Sequence, residues 1–380
     1  MFIYTNHTAA SYFPGKVIVA LRRNYTDPTM FAGIDVTHAD VIYHPDHNEE
    51  GIAQIVLLHL RNQDEMAVLN AIDTLNARPD VVFAEPDYVE YPHLMPNDPL
   101  FHDLWGMEAI HAPHAWDVAT GNTQVIVGVL DSGIDDSHPD LCANIATGTG
   151  DFNGRDQDGH GTHVAGTIGA VGNNHTGCTG VCWRVGLANF RLGGRVFDTA
   201  RAISAIDFAR QAKLPILNNS WGGRGYSRAL RLAIAQYDGL FVASAGNNGT
   251  NNDTRPMYPA SYDSPNIISV ASTTPNNTLS SFSNFGARSV DIAAPGSNII
   301  STDIGDTYSP MSGTSMAAPH VAGVAALVKS VNPAITTAEL KQVLMQSARQ
   351  LPALQGRVLS GGIVDARAAL EAARCSQRSD

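Results

Sequence analysis

The segments Gln124–Leu130 and Phe241–Ala245 are almost wholly apolar, and each runs straight into a turn, Asp131-Ser-Gly133 and Gly246-Asn247. Apolar runs of this length fit strands of a parallel sheet that is covered on both faces. Two other apolar stretches open on glycine and continue in small residues. They are Asp158-Gly-His160-Gly-Thr-His163-Val-Ala-Gly-Thr-Ile168 and Gly313-Thr-Ser315-Met-Ala-Ala-Pro-His-Val-Ala-Gly323. Both read as closely packed helices. Towards the N-terminus the pattern changes. Pro14–Leu21, Ile52–Leu60 and Val81–Asp87 read as strands, and Glu65–Asn76 has helical spacing at Met66, Leu69, Ile72 and Leu75. A helix beside a small antiparallel sheet is an α+β arrangement. Ala366–Ala373 reads as a closing helix. The pattern predicts a small α+β domain with its linker over 1–93, a large α/β domain with a mainly parallel sheet over 94–373, and a frayed tail over 374–380.

At 380 residues the chain has room for both domains. Only 16% of residues are charged and the net charge is −12, which argues against nucleic acid or an anionic membrane surface as partner. No apolar run reaches the roughly 18 residues of a membrane-spanning helix, and no repeat is present. Cys142, Cys178, Cys182 and Cys375 allow three full pairings, which sequence cannot choose between, and free buried thiols are an equal alternative.

The ends of these elements carry the chemistry. Asp131 closes a strand at its carboxyl end, where open α/β sheets place their sites. His160 opens one helix. Ser315 sits at the start of another, where free backbone N–H groups and the helix dipole favour negative charge. A carboxylate, an imidazole and a hydroxyl can act as one unit. The imidazole takes the serine proton, while the carboxylate holds its tautomer and stabilises the imidazolium. Taken singly, Ser315 could be a helix-capping serine and Asn247 a turn residue.

Five blocks occur together and in order. They are Val129-Leu-Asp131-Ser-Gly-Ile134, His160-Gly-Thr-His-Val-Ala-Gly166, Asn219-Ser-Trp-Gly-Gly223, Ser244-Ala-Gly-Asn247-Asn-Gly249 and Gly313-Thr-Ser315-Met-Ala317. With them the chain resembles the subtilisin-like serine proteases, the subtilases, whose catalytic order is Asp, His, Ser. The resemblance implies a three-layer subtilisin-like domain and an endopeptidase acting on proteins or peptides through Asp131, His160 and Ser315. It also implies that Asn247 donates to the oxyanion and that His163, His320 and His138 are structural. Gly193-Gly194-Arg195 and Ser220-Trp221-Gly222 resemble the two segments between which the family binds an extended peptide. Ser244-Ala245-Gly246 resembles the second wall of the specificity pocket, with Met257 at its floor and a medium or large apolar side chain preferred.

Calcium is the expected cofactor. By resemblance, Asp98, Asp140, Asn174 and Thr176 should ligate one structural Ca²⁺, together with the carbonyls of Val171 and Cys178. The alternative is that Gly172–Gly177 is a plain polar turn. Asp151, Asp156 and Asp158 read as a solvated loop or a second cation site. The ending Phe83-Ala-Glu-Pro-Asp-Tyr-Val89 resembles the end of a subtilase propeptide, which implies a zymogen, an intramolecular inhibitor and self-cleavage between Tyr91 and Met95. A monomer is expected. Met1–His7 lacks the regions of a signal peptide, so secretion is expected by another route or after removal of a signal, with an intracellular location left open. Two other functions compete. A catalytically silent binding or inhibitory protein would normally have lost a catalytic residue, and a serine esterase would carry Gly-x-Ser-x-Gly with a different residue order.

Overall fold

The computed structural model describes residues 12–45, 51–88, 94–148, 152–194 and 196–376. The chain divides into two compact units, Met1–Pro92 and His93–Asp380.

The first unit contains β1 (Tyr12–Leu21), β2 (Val36–Tyr43), β3 (Gln54–Leu60), α1 (Glu65–Asn76) and β4 (Val81–Tyr88). Its antiparallel sheet has the order β2-β3-β1-β4. Alternate residues point to one face, so Val17, Val19 and Leu21 meet Val56, Leu58 and Leu60 in a core shared with Val68, Ala71 and Leu75 of α1. Helix α1 starts where the Asp64 carboxylate accepts the Ala67 N–H at 2.6 Å, which satisfies an otherwise unpaired donor of the first turn. The helix spans the predicted residues. Strand β2 was not anticipated. It is an edge strand whose side chains are mostly exposed, so it lacks the apolar alternation that marks a half-buried strand.

The second unit begins with the short helices α2 (Trp105–Ala109) and α3 (Ala112–Trp116). There follow β5 (Gly121–Asp131), β6 (Ile145–Ala146), α4 (His160–Gly169), β7 (Arg184–Arg191), α5 (Thr199–Gln211), β8 (Ile216–Asn219), α6 (Arg228–Ala235) and β9 (Leu240–Ser244). The remainder is β10 (Ile267–Thr273), β11 (Ile292–Pro295), β12 (Ile299–Asp303), β13 (Thr307–Met311), α7 (Thr314–Val331), α8 (Thr337–Gln346), β14 (Arg349–Gln350), β15 (Gly362–Ile363) and α9 (Ala366–Ser376).

Nine strands form one sheet in the order β14-β15-β11-β10-β9-β8-β5-β7-β6. Only β14–β15 is antiparallel. Strand β5 feeds its two faces alternately. Val127 and Val129 join the core that holds α4 and α7, whereas Leu130 joins Phe190, Leu217 and Phe241 against α5 and α6. Helices therefore cover both faces, giving three layers. Helix α7 is buried nearly all round, as an evenly apolar helix must be. After β7 the chain crosses β5 to place β8 on its other side. This reversal puts the carboxyl end of β5 at the switch point of the sheet. No helix among the described residues is long and apolar enough to cross a membrane.

Candidate active site

Asp131 ends β5 and is fully buried. The Ser132 N–H donates to its Oδ1 at 2.7 Å. Helix α4 is brought onto this strand end by Gly161, because a Cβ there would stand 2.1 Å from the Gly133 carbonyl oxygen and 3.1 Å from Asp131 Cβ. Ser132 Oγ accepts the Gly161 N–H at 2.8 Å. Asp156 is buried and holds the same turn. Its Oδ2 accepts from Thr162 N–H (2.9 Å) and Oγ1 (2.8 Å), and its Oδ1 accepts the Asp158 N–H (2.9 Å). Asp156 is thus a helix-start clamp rather than part of a solvated loop; Asp151 lies outside the described residues.

These contacts set His160 Nδ1 2.7 Å from Asp131 Oδ1. Nδ1 donates its proton to the carboxylate, so Nε2 is left as the accepting nitrogen. The His160 side chain remains 26% exposed. Burial disfavours its imidazolium, but the charge and hydrogen bond of Asp131, with the charges of Asp158 and Asp156, outweigh this and hold the pKa above 6.5.

Ser315 lies in the first turn of α7. On one side Thr314 ties the turn to the loop after β9. Asn247 Oδ1 accepts from Thr314 N–H (2.8 Å) and Oγ1 (2.9 Å), and Thr314 Oγ1 accepts the Gly246 N–H (3.0 Å). The carbonyl end of the Asn247 amide is thereby identified, and Nδ2 is the donating end. On the other side Ser315 Oγ donates to the Ser220 carbonyl at 2.9 Å, and Ser220 Oγ donates to the Ser315 carbonyl at 2.7 Å. Asn218 Nδ2 donates to Ser220 Oγ at 3.0 Å.

A cleft of about 650 Å³ is lined by His160, Asp158, Gly194, Ser220, Trp221 and Gly222 among others. His160, the partner of Asp131, and Ser220, the partner of Ser315, both line this cleft. Gly193 forms a bridge with Phe197; Arg195 lies outside the described residues. Ser244 and Ala245 are buried. Met257 lies between the two expected pocket walls: a Cβ on Gly222 would be 3.5 Å from its Cγ, and one on Gly246 would be 3.0 Å from its Cε.

His163, His320 and His138 are packed groups. His163 Nε2 donates to the carbonyls of Ile299 (2.9 Å) and Ser309 (3.1 Å), and His320 Nδ1 donates to Met316 O (2.8 Å). Burial lowers the pKa of each to about 4. His138 Nε2 donates to Thr307 O (3.1 Å), while its Nδ1 accepts the Asp140 N–H (3.1 Å).

The residues expected around calcium gather at Asp140. Its Oδ1 accepts from Asn174 Nδ2 (2.8 Å), and its Oδ2 accepts from Cys178 N–H (2.9 Å) and Tyr308 Oη (2.9 Å). The Val171 N–H donates to Asp140 O (2.7 Å). The Thr176 N–H donates to Asn174 Oδ1 (2.8 Å). Asp98 is buried. Its Oδ2 accepts the Asn173 N–H (2.6 Å), and its Oδ1 has no hydrogen-bond partner among the described residues. Burial, reinforced by the charge of Asp140, raises the Asp98 carboxyl to about 6. Two buried carboxylates and an unpartnered carboxylate oxygen suit a hard cation. Gly177, at φ +41°, makes room for Tyr308, whose ring would lie 2.0 Å from a Cβ there. Cys142, Cys178 and Cys182 form no disulfide, and Cys182 Sγ donates to Gly323 O at 3.2 Å.

Sequence reading missed Ser132, Thr314 and Tyr308, and named Asp156 without its role at the start of α4. Thr314 and Ser132 adjoin candidate residues, which is the only local hint they offer. Tyr308 is far from Asp140 along the chain and offers none.

Residues 122–364 match the model of the subtilase family. A thermophilic serine proteinase of Bacillus sp. (strain AK1) is 33% identical over 362 residues, covering 92% of this chain and 86% of that protein. Thermitase of Thermoactinomyces vulgaris is 40% identical over 249 residues, 62% of this chain and 85% of that protein. The chain spans only 60% of an extracellular basic protease of Dichelobacter nodosus, to which it is 35% identical over 367 residues. A solved protease structure from Pseudoalteromonas arctica PAMC 21717 superposes with a TM-score of 0.64 at 32% identity, covering 74% of this chain and all of that one. A carboxylate–imidazole pair at a sheet switch point, a serine at a helix start, and this set of relatives lead to one assignment: the chain belongs to the subtilase family and is a subtilisin-like serine endopeptidase.

Proposed function

We propose that Ser315, His160 and Asp131 hydrolyse peptide bonds as a triad, and that the chain is made as a self-processing, calcium-stabilised zymogen for export. In this reading Ser315 Oγ attacks the peptide carbonyl carbon and its proton passes to His160 Nε2. Asp131 keeps Nδ1 protonated and stabilises the imidazolium. Asn247 Nδ2 and the Ser315 N–H bind the oxyanion. As the C–N bond breaks, His160 gives its proton to the leaving amine. Water then adds to the acyl-enzyme, passes a proton to His160, and releases the acid and Ser315.

The observation that carries this reading is the 2.7 Å contact between His160 Nδ1 and buried Asp131, in the cleft that also contains Ser220, the partner of Ser315. Gly193, Gly194 and Ser220–Gly222 would flank an extended peptide, where main-chain bonds give affinity with little demand on sequence. Met257 between Gly222 and Gly246 favours a medium-sized apolar side chain. Asp98, Asp140, Asn174, Thr176, Val171 and Cys178 would hold calcium, which supplies structural charge compensation and no chemical step. The N-terminal unit would act as propeptide. Leu94 and Met95, within the proposed processing region, are exposed; Tyr91–His93 lie outside the described residues.

An active-serine fluorophosphonate should label the calcium-loaded protein at Ser315, and Ser315→Ala should abolish labelling. A folded protein that takes no label would instead be a silent binding protein. Ser315→Ala should also leave the chain full-length, so processing at the wild-type rate in that variant would rule out self-cleavage.

A further inference from the structure

The small N-terminal unit carries a second cluster of ligating side chains, remote in sequence from every residue of the catalytic cleft. His38 on β2 stands opposite His59 on β3, and Asp40 lies two residues further along β2 on the same face. The two imidazoles stack with ring centroids 3.9 Å apart and planes 11° from parallel. Both present Nε2 to one oxygen. Asp40 Oδ2 is 3.0 Å from His59 Nε2 and 3.9 Å from His38 Nε2. The three ligand atoms all lie within 4.8 Å of one another. Ligands around a tetrahedral ion with bonds of ~2.0–2.1 Å sit about 3.3 Å apart. The ligand atoms are close enough for one ion, and closing on it requires the two rings to rotate out of their stacked arrangement so that both Nε2 lone pairs aim at the same point.

We propose that His38, Asp40 and His59 bind a borderline divalent transition-metal ion, zinc by class, that clips the edge strand β2 to β3. Two nitrogen donors and one carboxylate suit such an ion and not calcium or magnesium, which take oxygen shells. The fourth position opens to solvent, since His38 and Asp40 are each 59% exposed.

The hydrogen bonds around the cluster support the assignment. Thr37 Oγ1 donates its one hydrogen to the His59 carbonyl at 2.9 Å. Its 3.2 Å contact with His38 Nδ1 must then be one in which Nδ1–H donates. In the neutral ring this leaves Nε2, 3.9 Å from Asp40 Oδ2, as the nitrogen free to ligate a cation held between them. An outer hydrogen bond that fixes the tautomer of a ligating histidine is the usual support of a metal site. The register irregularity between Val36 and His38 lets Thr37 reach the His59 carbonyl while His38 still opposes His59. His59 Nε2–H donates to Asp40, so on binding its proton moves to Nδ1 through solvent, with no net proton release from that ring.

The test uses the full-length chain carrying Ser315→Ala, to exclude proteolysis, in saturating calcium. Zinc is titrated calorimetrically, and cobalt(II) is followed by its visible absorption. One zinc per chain should bind, with the dissociation constant raised at least tenfold in His38→Ala, His59→Ala and Asp40→Asn. Thr37→Val keeps every ligand and should still weaken binding about tenfold, whereas His44→Ala, just past the end of β2, should not. Cobalt should give an intense tetrahedral band that the ligand variants lose. Zinc binding that survives the His38→Ala/His59→Ala pair, or a weak octahedral cobalt spectrum alone, would overturn the proposal. If the alanine variants melt early without metal, the near-isosteric Asp40→Asn and Thr37→Val decide it.

Discussion

Ser220 and Ser315 exchange hydrogen bonds, each hydroxyl donating to the backbone carbonyl of the other. The cause lies one helical turn further on. Pro319 sits inside α7 and has no N–H, so the carbonyl four residues earlier, that of Ser315, loses its helical donor. Ser220 Oγ supplies the missing bond. Ser220→Ala should therefore strand a carbonyl and cost about 1–3 kcal/mol. Pro319→Ala restores a backbone donor to the same carbonyl, so the double variant should recover much of that loss. Denaturant unfolding of the four proteins measures the coupling, and strictly additive effects would show that Pro319 plays no part.

Thr314 should act through Asn247. Thr314→Val keeps the shape but removes the hydroxyl that joins Gly246 N–H to Asn247 Oδ1. We expect kcat to fall about tenfold with KM nearly unchanged, the pattern of an interaction made only in the transition state. Thr314→Ser should restore most of the rate. Asn247→Ala should cost more, about 10²–10³ in kcat, the size known for the corresponding donor in subtilisin. A change confined to KM would point to substrate binding instead.

The pH profile should report the balance at His160. The base must be neutral to act, and its pKa is held above 6.5 by Asp131 against burial. The acid limb of kcat/KM is expected above pH 6.5. Asp131→Asn removes the largest raising influence, so burial dominates, the limb moves to lower pH, and the rate drops by about 10⁴. The same raised pKa stabilises the fold below pH 6.5, a contribution lost as pH rises through the folded value. An unshifted limb in Asp131→Asn would be inconsistent with this account.

Asp98 gives a prediction whose sign depends on calcium. Without the ion, a buried carboxylate beside Asp140 is a liability, as its carboxyl near 6 indicates. Asp98→Asn should raise the melting temperature in chelator by a few degrees and lower it in saturating calcium, because one full charge is lost from the ligand set. Thermal scans with and without chelator check both arms. Equal shifts of one sign in the two conditions would remove Asp98 from the calcium site.

Much of this was legible because the key residues stand at ends of strongly patterned elements. The apolar run before Asp131 and the small-residue helices after His160 and Ser315 mark buried structure, and their polar first or last residues stand out. What escaped depends on partners distant in sequence. Nothing near Tyr308 announces that its hydroxyl meets Asp140, and nothing in Asp156-Gln-Asp158 distinguishes a helix clamp from a wet loop. Strand β2 escaped for another reason: its exposed side chains carry no buried stripe, and its neighbour β3, which pairs with it, gives no sign of it in its own pattern.

The order in which the sheet is laid down has a consequence for the life of the chain. Asp131 takes its place only when β5 pairs with β7 and β8 on either side, and Ser315 follows on a helix that is synthesised after β8, β9, β10 and β11. Parallel pairings between distant segments form late and slowly. On the proposed triad, cleaving power would therefore arise late, when most of the backbone is already folded and exposed stretches such as Leu94-Met95 are what it can reach.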